Sequence, residues 1–394
     1  QFLYFIGCAG EPMAATAVEP VHAAHFATER SQAVVAITAG HFTAARAPGE
    51  YVVAFADSIE LRQMSAKGAS TTVARTQLYA HVRGCATVPS SDPDVADTLA
   101  MTADNGRLVL LRFDRGANEW TRESFATFGR SGVRRAVPGH YLAVDPRGRA
   151  VMVAAIERAK LVFPVRAVKE QADAGGGGGS DDDGEQSDSG SSDSVDIWGG
   201  GADAAKLKLG SGLEANVPNT FVFSCVAIDS RSDSPQFACL EHQRDQMPPG
   251  EKACVVYEHD VSLNTIVRLW IYPVSATSSM LIGFPNSPTL PSGAVLACAE
   301  DSIIALSYDG HRVRRCETTL PRRTDYPFTQ GAVSIVASAS VKVRDGRVLL
   351  VAQNELGDVF KVDVAPKPDD RLNDAVTARY IDTFPVCSAM HLFR

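Results

Sequence analysis

Arginines that could bind phosphate are concentrated in residues 128–163. This stretch, FGRSGVRRAVPGHYLAVDPRGRAVMVAAIERAKLVF, holds five arginines before Arg158, together with four glycines and two prolines. A phosphate-binding loop leads from a strand into a helix and carries either a Lys-Ser/Thr end or GxGxxG spacing. Neither pattern is present, so the sequence gives little support for a nucleotide site here.

Local propensity explains the second half of this stretch as a β-hairpin. Residues 141–144 and 149–156 are apolar, and Asp145-Pro146-Arg147-Gly148 between them has the residue order of a type I turn. Two antiparallel strands joined by a tight turn are therefore expected. The arginines then lie on loops and strand ends, where they are either solvated charges or contacts for a partner.

Other chemistry finds little support in the sequence. The eight cysteines are at least fourteen residues apart, so there is no CxxC motif, and the nine histidines show no HxH or HExxH pattern. We expect buried free thiols in a reducing compartment and neither a metal nor a cofactor. No apolar run reaches the roughly 18 residues of a membrane-spanning helix.

The negative charge is concentrated in one segment. Residues 170–203 carry ten acidic and no basic side chains and are rich in Gly and Ser. Such a composition cannot bury enough apolar surface to fold, so we expect a disordered insertion. Its serines lie beside acids, as in substrates of acidophilic kinases. Without its ten acids the chain has 36 acidic and 38 basic residues, which does not indicate a strongly basic nucleic-acid surface.

The rest of the chain predicts many short strands. Apolar runs of four to nine residues alternate with turn signals such as Asn105-Gly106 and Asp309-Gly310. Residues 13–26 are the best helix candidate. Closing so many strands into a ring avoids exposed sheet edges. We therefore predict an all-β, seven-bladed β-propeller without the WD40 sequence signature, with a divergent segment at 1–34 and the propeller at 35–394.

Several blocks resemble, in order, the first propeller of the splicing factor 3b subunit 3 family. They are ESFATFGRSGVRRAVPGHYLAVDPRGRAVMVAAIERAKLVF, SGLEANVPNTFVFSCVAID, PQFACLE, LPRRTD, VLLVAQNELGDVFKVDV and RYIDTFPVCSAMHLF. The same superfamily includes the large DNA damage-binding subunit and the large cleavage and polyadenylation specificity subunit. The family continues with further strands beyond the position of Arg394, so the resemblance implies an incomplete last blade.

The resemblance also implies a function. It indicates a non-enzymatic, nuclear protein–protein scaffold of the splicing factor 3b complex of the U2 snRNP, acting in pre-mRNA splicing through branch-site recognition and spliceosome assembly. The implied partners are the HEAT-repeat subunit 1, the small subunit 5 and U2 snRNP proteins, with indirect or weak RNA contact and no membrane.

Two other functions use the same fold. One is the propeller adaptor of a cullin ubiquitin ligase in the DNA damage response. The other is a propeller hydrolase or lectin, which needs converging acidic or arginine side chains. Turn and strand-end positions explain Asp57, Asp145 and Glu258 better than such a site.

Two loops supply candidate partner-binding residues. Arginine can bond partner carboxylates through two parallel hydrogen bonds, and an aromatic neighbour can act as an anchor. The alternative is that each arginine bonds its own protein on an exposed loop. The candidates are Phe128, Arg130, Arg134, Arg135, Arg322 and Arg323.

Overall fold

A computed structural model describes most of the chain. The described residues are 2–8, 21–27, 33–129, 140–154, 160–168, 206–215, 220–283, 285–287, 292–308, 310–323, 331–343, 347–364 and 376–393. These residues form strands and turns and contain no helix, so none of them belongs to a helix able to cross a membrane. The insertion predicted at 170–203 and the serines within it lie outside this part of the chain.

Six blades of antiparallel strands make up the ring. Blade 1 comprises β3 (Val34–Ala39), β4 (Glu50–Phe55), β5 (Ser58–Met64) and β6 (Ser70–Gln77). Blade 2 comprises β7 (Val82–Val88), β8 (Thr98–Ala103), β9 (Arg107–Asp114) and β10 (Glu119–Thr127). Blade 3 comprises β11 (Tyr141–Val144), β12 (Ala150–Ala154), β13 (Lys160–Val168), β14 (Lys206–Leu209) and the short β15 (Leu213–Ala215).

The remaining strands form three more blades and one further sheet. Blade 4 comprises β16 (Thr220–Ile228), β17 (Gln236–Gln243), β18 (Lys252–Asp260) and β19 (Thr265–Val274). Blade 5 comprises β20 (Met280–Gly283), β21 (Val295–Ala299), β22 (Ser302–Tyr308) and β23 (Val313–Thr319). Blade 6 comprises β24 (Ile335–Lys342), β25 (Val348–Asn354), β26 (Asp358–Val364) and β27 (Val376–Thr383). The end sheet comprises β1 (Phe2–Cys8), β2 (Val21–Ala27) and β28 (Met390–Phe393).

The prediction of seven blades is wrong, because the structure has six. In the end sheet, β1 pairs antiparallel with β2 but parallel with β28, so these strands do not form a four-stranded antiparallel blade. The parallel pair joins strands from the two ends of the chain. Parallel pairing of distant segments leaves no turn signal in the sequence, so counting strand-like runs cannot reveal it. The helix suggested at 13–26 is also wrong where it overlaps β2.

The end sheet closes the ring between blades 6 and 1. Met390 and Leu392 of β28 are buried against residues of blade 6 that include Val351. On the other side, Phe393 packs edge-on against the ring of Tyr51 in blade 1, with the ring centroids 5.4 Å apart. Apolar packing on both sides holds this sheet in place.

The central strands of each blade are covered on both sides by neighbouring blades. β4, β8, β12 and β21 are buried at every residue, whereas the outermost strand of blade 4, β19, leaves most of its residues exposed or half-buried. Continuous Val/Ala/Leu runs therefore occupy the strands between packed sheets, as burial on both faces requires.

The strand order gives the ring two different faces. In a four-stranded meander the first strand begins where the fourth strand ends. We call this side the connection face, because it carries the blade-to-blade connections and the turns between strands 2 and 3. The opposite side is the turn face. The connection face has a repeated backbone hydrogen bond from the residue after strand 4 to the turn between strands 2 and 3. The bonds are Leu78 to Asp57 (2.7 Å), Phe128 to Gly106 (2.9 Å), Leu320 to Asp301 (2.8 Å) and Phe384 to Gly357 (2.9 Å).

Candidate partner-binding face

The candidates of the first loop are only partly described. Phe128 follows β10 on the connection face, where its half-buried side chain packs against the core between blades 2 and 3, including Leu142 and Phe163. The Phe128 ring is therefore mainly part of the core, and only part of it is accessible to a partner. Arg130, Arg134 and Arg135 lie in the connection 130–139, outside the described residues. Their contact with a partner stays a proposal.

Both candidates of the second loop bond their own protein. Arg322 forms an ion pair with Asp301, which lies in the turn between strands 2 and 3 of blade 5, and its side chain is 51% exposed. Arg323 reaches blade 6, where its guanidinium lies 3.3 Å from an Asp358 oxygen and 2.7 Å from the Thr383 hydroxyl. The pair joins blades 5 and 6 on the connection face. Part of each guanidinium is used inside the protein, and a contact with a partner stays a proposal.

The two arginine loops share one face. The first connects blade 2 to blade 3, and the second connects blade 5 to blade 6. Since every blade-to-blade connection emerges on the connection face, both loops leave and re-enter the ring there. The described strands that flank the two loops lie on opposite sides of the ring, so one partner would have to cross the central channel to contact both.

Arginines of the predicted hairpin bind the protein itself on the turn face. The hairpin is confirmed: β11 pairs with β12, and the Gly148 N–H donates to the Asp145 carbonyl at 2.8 Å. The fully buried Asp145 carboxylate accepts both Nε (2.8 Å) and Nη2 (2.8 Å) of Arg149. Arg149 also donates to the carbonyl of Asp233 in blade 4, and Arg147 donates to that of Ser230. These bonds join blades 3 and 4.

A buried ion pair joins the same two blades closer to the core. The Lys160 ammonium lies 2.9 Å from a Glu241 carboxylate oxygen, and their side chains are only 2% and 0% exposed. Tyr257 donates to the other carboxylate oxygen at 2.9 Å, and Gln243 donates to it at 2.7 Å. Burial raises the pKa of the Tyr257 hydroxyl, which therefore stays a donor. We call these residues, with Asp145, Arg147 and Arg149, the blade 3–4 junction.

The first strand of each blade is the innermost one and faces the central channel. In four blades this strand has a β-bulge near its start on the connection face. The pairing register shifts across one residue in β3, β7, β16 and β24. The bulged residues at these equivalent positions are Val35, Arg83, Phe223 and Val336. Three are apolar, and Arg83 alone among the four is charged. We call these four residues, with His140 at the start of β11, the channel mouth.

A cavity opens at the channel mouth between blades 1, 2 and 3. Its volume is about 440 Å³, and it is lined by Val35, Ala36, Val82, Arg83, Gly84, Cys85, His140 and Leu142. Both polar side chains, Arg83 and His140, are exposed. Burial, and then the neighbouring Arg83 charge, lower the pKa of His140. Among the described residues, none of those that line this cavity is acidic.

A second cavity of about 510 Å³ lies along the central channel. It is lined by side chains from most of the innermost strands, including Thr38, Cys225, Asp229, Ser340 and His391. The His391 ring is only partly exposed in this narrow space, and burial lowers its pKa to about 4. A neutral imidazole at physiological pH gives the channel wall no positive charge.

The described side chains do not assemble a centre for catalysis or metal binding. In the part of the chain with described side chains, no group of three or more His, Cys, Asp or Glu residues is close enough to hold a metal ion. The seven cysteines described there are free thiols, and five are buried, as predicted. Burial raises the pKa of Cys85 and Cys298 to about 12 and that of Cys387 to about 11. These thiols are protonated and poorly nucleophilic.

Sequence reasoning missed the channel mouth. Arg83 and His140 come from different blades, and nothing in the sequence brings them together. One local signal was available, because Arg83 interrupts the otherwise uncharged run Val82–Val88 that forms β7. A charged residue in an innermost strand requires either a partner or exposure.

Comparison with known proteins confirms the resemblance. The model of the RSE1/DDB1/CPSF1 first β-propeller matches residues 33–394. Spliceosome-associated protein 130 A of Arabidopsis thaliana is 30% identical over 374 residues, which are 92% of this chain and 27% of that protein. Pre-mRNA-splicing factor rse1 of Emericella nidulans is 34% identical over 312 residues (76% and 23%), and splicing factor 3B subunit 3 of Danio rerio is 33% identical over 304 residues (75% and 22%).

The matches cover most of this chain but only a small part of each relative. The chain spans about a quarter of the length of the curated relatives described above. The family model, in contrast, covers nearly the whole chain. This chain belongs to the RSE1/DDB1/CPSF1 first β-propeller family.

Proposed function

We propose that this chain is a rigid scaffold for protein–protein contacts in pre-mRNA splicing. The observation that carries the proposal is the similarity over most of the chain to proteins named as splicing factors, combined with a propeller fold. A ring of packed blades presents loops in fixed positions on two faces, which suits the simultaneous recognition of several partners.

The proposal includes the setting in which the scaffold acts. By analogy with the relative named splicing factor 3B subunit 3, the chain would act in the nucleus, within a splicing factor 3b complex of the U2 snRNP. Its partners would be the HEAT-repeat subunit 1 and the small subunit 5, and RNA contact would be indirect or weak. The role is non-catalytic, which fits the protonated thiols and the lack of a metal-binding cluster among the described side chains.

The test is affinity purification of the tagged chain from nuclear extract, with mass spectrometry of what is retained. Recovery of the HEAT-repeat splicing subunit and other U2 proteins supports the proposal. Recovery of cullin ligase components instead would assign the chain to the adaptor function. Recovery of neither, from a chain shown to be folded by its melting curve, would contradict the scaffold role of this propeller.

A paired variant tests the first arginine loop within the same experiment. Arg134→Glu with Arg135→Glu is expected to reduce recovery of partners without lowering Tm. Arg115→Glu is the matched control, because Arg115 is exposed in the same half of the ring but lies on the turn face, between β9 and β10. Unchanged recovery with the double variant would remove these two residues from the proposed interface.

A further inference from the structure

We propose that the channel mouth docks an acidic segment of a partner protein, with Arg83 as the anchor for a carboxylate. The inference deepens the proposed scaffold function and rests on it. It concerns the cavity between blades 1, 2 and 3 on the connection face.

The backbone positions Arg83 for this role. Arg83 is the extra residue of the β-bulge in β7, between the paired residues Val82 and Gly84. A bulge leaves its extra residue out of the regular pairing and redirects its side chain. In β3 and β24 the equivalent residues are Val35 and Val336, so an arginine is not required for the bulge itself. The charge at this position therefore calls for an explanation beyond folding.

Arg83 has no acidic partner among the described residues. Within the described part of the chain, no carboxylate lies at ion-pair distance from its guanidinium. Two acids of blade 2 have other partners: Glu123 pairs with Arg112 at 2.6 Å, and Asp104 accepts the backbone N–H of His81 at 3.0 Å. Arg83 and His140 thus present positive charge or hydrogen-bond donors to the cavity.

Blade 2 carries two further arginines, on its outer strands β9 and β10. Arg107 and Arg122 of blade 2 are both exposed and lie over the ring of Phe125. The chain as a whole has a net charge of −8, so this local excess does not reflect a basic protein. An acidic ligand is the complementary partner, since opposite charges both steer encounter and favour docking.

The walls of the cavity favour a peptide over single-stranded RNA. Beside Arg83, the lining is formed by small apolar side chains such as Val35, Ala36 and Leu142, which suit an aliphatic side chain next to a carboxylate. Single-stranded RNA binds on exposed aromatic faces. On the outer strand of the same blade, the exposed Phe125 ring is already contacted by Arg107 and Arg122, with distances of 5.5 and 5.2 Å from guanidinium carbon to ring centroid. The parts of the Phe125 ring covered by these guanidinium groups are therefore not free for an RNA base to stack on.

Fluorescence anisotropy with defined probes tests the proposal. The probe is a fluorescein-labelled peptide of repeated Glu-Leu-Gly triplets, and the comparison probes are its Gln-Leu-Gly analogue and an oligouridine RNA. We expect the chain to bind the Glu peptide more tightly than the Gln peptide. Arg83→Glu should weaken that binding about 10-fold or more, because it removes a charge-assisted bond and adds a repelling charge. Arg115→Glu on the turn face should leave the affinity within about 2-fold.

Each other outcome overturns the inference. Equal affinity for the Glu and Gln peptides, or no binding of either, would show that the channel mouth does not select acidic peptides. An unchanged affinity in Arg83→Glu would place the site elsewhere. Tighter, Arg83-dependent binding of the RNA would assign the cavity to nucleic acid. Binding that appears only when residues 170–203 are deleted would make the chain's own acidic segment the occupant.

The test separates this inference from the proposed function. Arg83→Glu is a surface change and should leave Tm unchanged, so a loss of peptide binding is not a loss of folding. If the chain recovers U2 proteins but Arg83→Glu leaves Glu-peptide binding unchanged, the scaffold function stands and this docking site falls. If no splicing protein is recovered while the Glu peptide binds through Arg83, the docking site stands and its assignment to splicing falls.

Discussion

The blade 3–4 junction and the channel mouth use the same residue type in opposite ways. At the junction, Arg149 binds the buried Asp145 carboxylate and a carbonyl of the next blade. At the channel mouth, Arg83 faces a cavity without a described carboxylate near it. Both arginines lie beside a glycine at the edge of an inner strand. What surrounds an arginine, and not its presence in a loop, separates a structural role from one in recognition.

Stability and recognition depend on different regions of this fold. The junction carries buried charges that must be paired, so its residues are constrained by folding. The channel mouth carries two exposed polar side chains, Arg83 and His140, so we expect their replacement to leave the blades intact. Substitutions at the blade 3–4 junction are therefore expected to lower stability and to leave partner binding unchanged. Substitutions at the channel mouth are expected to weaken binding and to leave stability unchanged.

The largest expected effect is on the buried pair of the junction. Glu241→Ala leaves the Lys160 ammonium buried without a counter-charge and removes the acceptor of Tyr257. We expect the free energy of unfolding to fall by about 4 kcal/mol, measured by urea denaturation. Glu214→Ala, at an exposed glutamate of β15, is the control and should change stability by less than about 0.5 kcal/mol. A similar effect of both variants would contradict the structural role of the pair.

The next effect concerns pH and the central channel. His391 has a pKa of about 4 in the folded chain, below the roughly 6.5 of an unfolded histidine. The unfolded chain then binds more protons between these values, so this contribution is fully present above pH 6.5 and is lost as the pH falls through 4. The loss is up to about 3 kcal/mol. Unfolding of wild type and His391→Gln should show a difference in stability that narrows across this range. A constant difference would contradict the prediction.

A smaller loss is expected at the turn of the junction. Asp145→Ala removes the carboxylate that binds Arg149 and also accepts the backbone N–H groups of Arg147 and Arg149. We expect a loss of about 2 kcal/mol in thermal or urea unfolding, because Arg149 is partly solvated and recovers some hydration. Asp94→Ala on the exposed loop between β7 and β8 is the control. If Asp145→Ala were as mild as Asp94→Ala, the distinction between the two regions would lose its basis.

The smallest effects distinguish the two arginines of the second loop. Arg323→Ala breaks contacts with Asp358 and Thr383 and should cost about 1 kcal/mol. Arg322→Ala breaks one exposed ion pair and should cost less than about 0.5 kcal/mol. If Arg322→Ala nevertheless reduces recovery of partners from nuclear extract, its exposed half is part of an interface. If neither variant alters recovery, both arginines have a structural role, as the arginines of the blade 3–4 junction do.

Local sequence patterns predicted individual strands and turns of the blades better than they predicted the number of blades. The Asp145–Gly148 turn and its strands were found because an Asp-Pro-x-Gly turn is encoded by adjacent residues. The end sheet was not predicted, since the pairing of β1 with β28 joins residues almost the full chain apart. The disorder expected for the acidic insertion at 170–203 stays a prediction, because these residues lie outside the described part of the chain.

The candidate site shows the same limit. Arginine loops could be found from residue type, but the contacts of Arg322 and Arg323 depend on the turns of blades 5 and 6, which are distant in sequence. Phe128 could be recognised as aromatic, but its packing between blades 2 and 3 is a consequence of ring closure. Arg83 was overlooked because a β-bulge is defined by pairing with another strand.

Hydrogen exchange of the chain, alone and with the splicing proteins it recovers from nuclear extract, shows directly whether these partners bind on the connection face. We expect slower amide exchange in the complex on the connection face, at 78–81, 104–106 and 244–251. The turns on the opposite face, at 65–69, 115–118 and 261–264, should exchange at unchanged rates. Protection confined to the turn-face segments would contradict partner binding at the arginine loops and the channel mouth, which both lie on the connection face.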